Sequence, residues 1–163
     1  MSLTVNGSVG AETEAVVREV AAAHRAERGP LLEILHGVQE RLGCVPPEAV
    51  QVLADELNLS YADVHGVVSF YHDFRSEPAG RTTVRVCEAE ACQSVGARDL
   101  VARLKEQYGA AHGDTTADRS LTVERVFCFG NCALGPTVEI NGRLHGRVDP
   151  DRLGSLVDKE LGR

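Results

Sequence analysis

Apolar residues recur at three- and four-residue steps along the first half of the chain, the period of amphipathic helices. Val16, Val17, Val20, Ala21 and His24 mark one face of a first helix, with Thr13 placed to cap it. Gly29-Pro30 closes that helix and opens a second, from about Leu31 to Leu42, whose stripe is Leu31, Leu32, Leu35, Val38 and Leu42. Gly43 ends it. Cys44-Val45-Pro46-Pro47 reads as a turn, and Pro47 opens a third helix to about Leu57 that buries Val50, Leu53, Ala54 and Leu57. Ser60-Tyr-Ala-Asp63 has the form of a capping box with Asp in place of Glu, so a fourth helix follows with Val64, Val67, Val68, Phe70 and Tyr71. Residues 1–12, polar and containing Gly7 and Gly10, read as a flexible tail, and 13–77 as a small helical bundle. Phe70, Tyr71 and Phe74 either close the bundle's core or face a partner subunit; spacing alone does not choose.

The period changes after Glu77-Pro78-Ala79-Gly80. Thr82 to Val86 alternates as a strand and stops at Cys87. Ser94 to Tyr108 reads as one helix with Val95, Leu100, Val101 and Leu104 inward, ended by Gly109. Leu121 to Phe127 is a second strand, and it too stops at a cysteine, Cys128. Thr137 to Ile140, the turn Asn141-Gly142 and Leu144 to Val148 form a hairpin. Asp149-Pro150 caps a last helix burying Leu153, Leu156, Val157 and Leu161. The order β-α-β-β-β-α over residues 81–163 predicts an α/β domain of thioredoxin-like arrangement, α+β overall with the bundle before it. If the first two strands run parallel side by side, both cysteine-bearing ends meet at one edge.

Length and composition narrow this picture. A chain of 163 residues with 43% apolar content builds one domain or two small ones, with modest cores because aromatics are only 4%. The formal charge of −7 argues against nucleic acid as the partner. No apolar run approaches the ~20 residues of a membrane span, and the first residues lack the pattern of a secretory signal, so a cytoplasmic location is expected. In a reducing compartment, paired cysteines point to metal or redox chemistry rather than to disulfides.

Four of the five cysteines are paired: Cys87 with Cys92, and Cys128 with Cys132, separated by 35 residues. Four thiolates hold either zinc or an iron–sulfur cluster. A thioredoxin-type dithiol would need C-x2-C, which is absent. The small residues Ala89, Ala91, Gly130, Ala133 and Gly135 let backbone N–H groups approach sulfur, which favours a [2Fe–2S] cluster, while zinc stays open on spacing alone. Cys44 stands apart and reads as a half-buried packing residue. His36, His65, His72 and His145 take no role, and the loop Gly113–Asp118 lacks the lysine and glycine pattern of a phosphate loop.

Flanking residues add a resemblance. They are Leu35-His36-Gly-Val-Gln39, Gly43-x-Val-Pro46-x-Glu48, Val67-Val-Ser-Phe70-Tyr71, Pro78-x-Gly80, Val86-Cys87 with Cys92, Gly113-Asp-Thr-Thr116-x-Asp118, and Cys128-x-Gly130-x-Cys132-Ala-x-Gly-Pro136. The chain resembles the thioredoxin-like [2Fe–2S] subunits of NADH-oxidising complexes. The resemblance implies that Cys87, Cys92, Cys128 and Cys132 ligate one [2Fe–2S] cluster. It also implies a partner subunit binding FMN and NAD. Cys87-Glu-Ala-Glu-Ala-Cys92-Gln-Ser and Val138-Glu-Ile-Asn-Gly-Arg-Leu-His145-Gly-Arg147 look most like the gamma subunit of NAD-dependent formate dehydrogenase. That similarity implies further iron–sulfur clusters and a molybdenum or tungsten cofactor on a large formate-oxidising subunit. The corresponding subunits of respiratory complex I and of NAD-linked hydrogenases are the alternatives. A zinc-stabilised adaptor and a free ferredoxin-like carrier are the remaining readings. Arg119 departs from the family pattern, which has glycine after the Asp118 position.

Overall fold

The computed structural model describes residues 6–163, so the first five residues of the expected tail lie outside the described residues. The chain forms two compact units, one ending at Pro78 and one spanning Ala79–Arg163.

The first unit is four helices: α1 (Asn6–Ala23), α2 (Leu31–Leu42), α3 (Pro47–Leu57) and α4 (Tyr61–Phe70). Gly43 ends α2 in the left-handed region at φ 79°, where its N–H donates to Gln39 O at 2.8 Å. The Ser60–Asp63 capping box forms reciprocally: Asp63 N donates to Ser60 Oγ at 3.1 Å and Ser60 N to Asp63 Oδ2 at 3.3 Å. The core is Val17, Ile34, Leu35, Val38, Ala49, Leu53 and Val64, all fully buried. Gly37 lets α1 approach α2, since a Cβ there would lie 2.8 Å from Val20 Cγ1.

Two expectations change here. Residues 6–12 are helical, so α1 starts seven residues before Thr13, and Thr13 is a buried helical residue instead of a cap. Once packing of Val17 and Val20 pins the helix, adding residues at its end costs little, even polar ones. Of the aromatic run, Phe74 is buried and packs on His36 with ring centroids 4.9 Å apart. Phe70 and Tyr71 instead remain exposed, Phe70 at 72%.

The second unit is β1 (Thr82–Cys87), a short α5 (Glu90–Gln93), α6 (Ala97–Tyr108), β2 (Leu121–Val126), β3 (Val138–Ile140), β4 (Arg143–His145) and α7 (Pro150–Leu161). The sheet order is β2-β1-β3-β4, with β1 parallel to β2 and the other pairs antiparallel. Val84, Val86, Leu121, Val123, Val138 and Ile140 share one core with Leu100 and Leu104 of α6 and Leu153 and Val157 of α7. The alternate residue Arg85 bonds Glu124 on β2 at 2.7 Å and Glu139 on β3 at 3.0 Å, tying three strands together. Asn141 and Gly142, both at positive φ, make the hairpin turn.

The helix expected from Ser94 begins three residues later, at Ala97, after a separate short helix not expected from the sequence. Gly96 at φ 102° separates α5, which carries Cys92, from α6, and Val95 lies in the turn between them at 54% exposure instead of packing inward. The returning strand is three residues, Arg143–His145, ending before Val148, and β2 stops at Val126 with Phe127 exposed. Arg119 adopts φ 53°, the left-handed conformation a glycine would take freely.

Candidate metal centre

Parallel pairing places Cys87, the last residue of β1, opposite Val126, the last residue of β2. Cys128 follows two residues later. The two cysteine loops therefore leave adjacent strands at the same edge. Cys92 sits one turn further in α5, and Cys132 begins the 3-10 turn Cys132–Leu134. Cys128 itself holds φ 92°, a costly conformation for a residue with a Cβ, and Gly130 takes φ 77° freely; Gly130 N donates to Cys128 Sγ at 3.3 Å. The four thiols predicted as ligands thus lie in one region. Cys44 belongs to the helical unit, where it is buried at 5% exposure instead of half-buried.

The thiols are grouped in pairs. Cys128 Sγ and Cys132 Sγ are 3.7 Å apart. Two thiolates on one tetrahedral metal with bonds of about 2.3 Å subtend nearly that separation. Cys87 and Cys92 form the second pair, in mutual hydrogen-bonding reach. Among the described residues, no three His, Cys, Asp or Glu side chains converge as around a single ion. The inner pair is buried, each at 2%, while Cys128 and Cys132 are exposed.

The electrostatics differ from thiol to thiol. Burial pushes the Cys87 thiol up, but the backbone N–H groups of Ala89, Cys128 and Phe129 and the Cys92 thiol outweigh it, leaving Cys87 below the ordinary thiol range. Burial and the neighbouring Cys87 raise Cys92, which a Thr137 backbone N–H partly offsets. Cys128 raises Cys132 as a hydrogen-bonding and charged neighbour. The Cys87 thiolate forms readily, whereas Cys92 and Cys132 gain from a cation that stabilises their charge. N–H donors from both loops aimed at sulfur, with four thiols in two chelating pairs, fit an iron–sulfur cluster well.

Tight backbone contacts shape this pocket. A Cβ at Gly135 would lie 3.4 Å from Cys92 Sγ and 3.2 Å from Val95 Cγ2. One at Gly146 would lie 2.8 Å from Leu134 Cβ and from Leu134 O. Asn131 Nδ2 donates to Thr137 Oγ1 at 3.3 Å, holding the second loop to the start of β3. Sequence reasoning singled out Gly135 but not Gly146 or Thr137, whose roles arise from contacts distant in sequence. In the loop Gly113–Asp118, polar groups bond within the unit: Thr116 Oγ1 donates to Asp118 Oδ1 at 2.6 Å, and Asp114 Oδ2 accepts from Ala111 N at 2.9 Å.

Known proteins resemble this chain. The E subunit of NADH-quinone oxidoreductase from Pseudomonas aeruginosa is 35% identical over 131 residues, covering 80% of this chain and 79% of that protein. The HndA subunit of the NADP-reducing hydrogenase of Solidesulfovibrio fructosivorans is also 35% identical, covering 80% and 77%. A crystal structure of an NAD+-reducing [NiFe]-hydrogenase superposes with a TM-score of 0.69 at 26% identity over 82% of this chain, which spans only 22% of that hydrogenase chain. The thioredoxin-like [2Fe-2S] ferredoxin family matches residues 17–160, which include all four paired cysteines. With that match over most of its length, and relatives 35% identical over four fifths of it, the chain belongs to the thioredoxin-like [2Fe–2S] ferredoxin family.

Proposed function

We propose that this chain is an electron-transfer subunit of an NADH-linked complex, of the type found in NADH-quinone oxidoreductase and in NAD(P)-linked hydrogenases. Cys87, Cys92, Cys128 and Cys132 hold its [2Fe–2S] cluster. The observation that carries this is the meeting of two chelating cysteine pairs at the ends of parallel β1 and β2, with backbone N–H groups directed at sulfur. A bound cluster supplies a site that takes and gives up single electrons, which complements a flavin partner exchanging hydride with NAD. The chain's own residues do the rest. The thiolates bind, and the N–H groups of Ala89, Phe129, Gly130 and Thr137 offset charge on sulfur. Burial of Cys87 and Cys92 keeps water from one side, and the exposed Cys128 and Cys132 leave the other side open to a redox partner.

Exposed apolar side chains support the subunit reading. Phe127 at 68%, Val95 and Leu134 neighbour the cysteines in sequence, and Phe70 and Tyr71 stand out on the helical unit. The FMN- and NAD-binding partner follows from the family resemblance. Formate dehydrogenase is a second reading, favoured by Cys87-Glu-Ala-Glu-Ala-Cys92-Gln-Ser. The relatives described above belong instead to quinone- and hydrogen-linked enzymes. Purification of the native complex through a tag on this chain tests both. The expected result is co-purification with a flavoprotein and NADH-linked electron transfer; the co-substrate, quinone, hydrogen or formate, then separates the readings. A colourless chain holding one zinc and no iron would sink the proposal.

A further inference from the structure

The electron-transfer reading leaves a charged cluster beside the cysteines unused. Glu88 directly follows Cys87, and its side chain is only 14% exposed. One carboxylate oxygen meets His112 Nε2 at 2.7 Å and the other meets Arg125 Nε at 3.1 Å. A carboxylate only accepts, so Nε2 carries the proton, while His112 Nδ1 is buried without a partner. The backbone of Glu88 is held as firmly: its N–H donates to Val126 O at 2.9 Å, and its carbonyl accepts from Gln93 Nε2 at 2.7 Å. Arg125 also reaches the other loop, because its guanidinium lies 5.7 Å from the centroid of Phe127, the residue before Cys128.

We propose that His112 and Arg125 are positioning residues that hold the Glu88 carboxylate: Arg125 ties the Cys87 loop to β2, three residues before Cys128, and His112 ties it to the segment between α6 and β2. By compensating a carboxylate one residue from a ligand, they also set the reduction potential of the site. The inference rests on the reading that the four cysteines hold the cluster. Reduction adds one negative charge, and a nearby carboxylate opposes it unless paired. Glu88 is largely shielded from water, so solvent screens its charge weakly. Potentials of such clusters respond to net charge and hydrogen bonding around the sulfurs. A brace that only held the fold would alter stability but would not order the potentials by charge.

The test is a set of variants in the full chain, reconstituted with iron and sulfide. Midpoint potentials are followed by electron paramagnetic resonance, and iron content and visible spectra are recorded for each. Arg125→Gln and His112→Ala are expected to lower the potential, and Glu88→Gln to raise it. Arg125→Lys, which keeps the charge, should lie closer to the unaltered protein than Arg125→Gln. The double variant Glu88→Gln/Arg125→Gln should return toward it. Equal potentials across the set with intact iron content overturn the proposal and leave the cluster reading standing. If Arg125→Gln retains no cluster, the sign is read from Glu88→Gln against Arg125→Lys, and a downward shift in Glu88→Gln overturns it. Failure of the unaltered chain to take up iron overturns the cluster reading itself.

Discussion

Gly146 is the position where one methyl group should disturb the site most cleanly. A Cβ there would stand 2.8 Å from Leu134 Cβ and Leu134 O, and 3.1 Å from Asn131 Nδ2. Ordinary contacts between such atoms are about 3.4 Å or longer, so the segment Asn131–Leu134 must retreat by roughly half an ångström or more. That segment cannot retreat freely, because Arg147 N donates to Leu134 O at 2.6 Å from the next residue along. Overpacking of this kind costs about 1–3 kcal/mol, and loosening the hydrogen bond adds up to about 1 kcal/mol. The loss of chain freedom in the unfolded state on Gly→Ala returns roughly 0.4–1 kcal/mol. Taking the middle of each range, the net expectation for Gly146→Ala is a loss of about 2 kcal/mol in the second unit. Because the displaced turn carries Cys132, iron content should fall below that of the unaltered chain. Urea unfolding of the metal-free chain, with iron and visible absorbance measured after reconstitution, reads both effects. Gly66→Ala is the reference: beyond its own helix backbone no atom lies within 4 Å of its Cβ and it is mid-helix, so about 0.5–1 kcal/mol of stabilisation is expected. A Gly146→Ala chain as stable as the unaltered one and fully loaded with iron would refute the argument from close approach.

Three further outcomes are expected. Cys87→Ser and Cys128→Ser should each abolish normal cluster retention, whereas Cys44→Ser should leave iron content unchanged; iron analysis and visible spectra decide, and bleaching by Cys44→Ser would overturn the ligand assignment. Asp118 accepts hydrogen bonds from Thr116 Oγ1, Ser120 Oγ and Ser120 N, and these hold its carboxyl at about 2, below its ordinary value of 3.8. A depressed carboxyl stabilises the fold above its unfolded value and loses that contribution as pH falls through the folded one, so stability should drop between about pH 4 and 2, and Asp118→Asn should flatten the drop in acid-unfolding curves. Leu100→Ala removes a fully buried side chain from the core between α6 and the sheet and should cost about 2–5 kcal/mol in urea unfolding, with a cost under 1 kcal/mol contradicting the packing described.

Much of the architecture was legible because its signals are local. The Ser60–Asp63 capping box, Pro47 at a helix start and Asn141-Gly142 at a hairpin each act within a few residues. The alternation of Val84 and Val86 gave β1 its inward face, and two strands stopping at cysteines predicted the shared edge that parallel pairing provides. Signals failed where tertiary contacts override local pattern. Val95 has the spacing of a buried helical residue, yet Gly96 separates α5 from α6 and leaves it exposed in the turn between them. The polar start of α1 carries no apolar stripe of its own and rides on the packing of residues further along. At the site, the cysteines announce themselves by type and spacing. Glu88, His112, Arg125 and Gly146 do not, because ordinary polar residues and glycines gain a role only through neighbours distant in the chain.

The parallel register of β1 and β2 also dictates an order of biosynthesis. The first cysteine pair leaves the ribosome with β1, and for the length of α6 and the loop after it no second pair exists to complete a shell. Parallel strands cannot pair until their crossover is made, and such non-local pairing is the slow part of folding. Iron delivered to the nascent chain would find only two of the four thiols of the site, and the Cys128 and Phe129 N–H groups that favour the Cys87 thiolate in the folded protein would not yet exist. Cluster delivery is therefore best timed to a finished sheet, so a donor that recognises the closed β1–β2 edge would load the folded protein and pass over the half-made one.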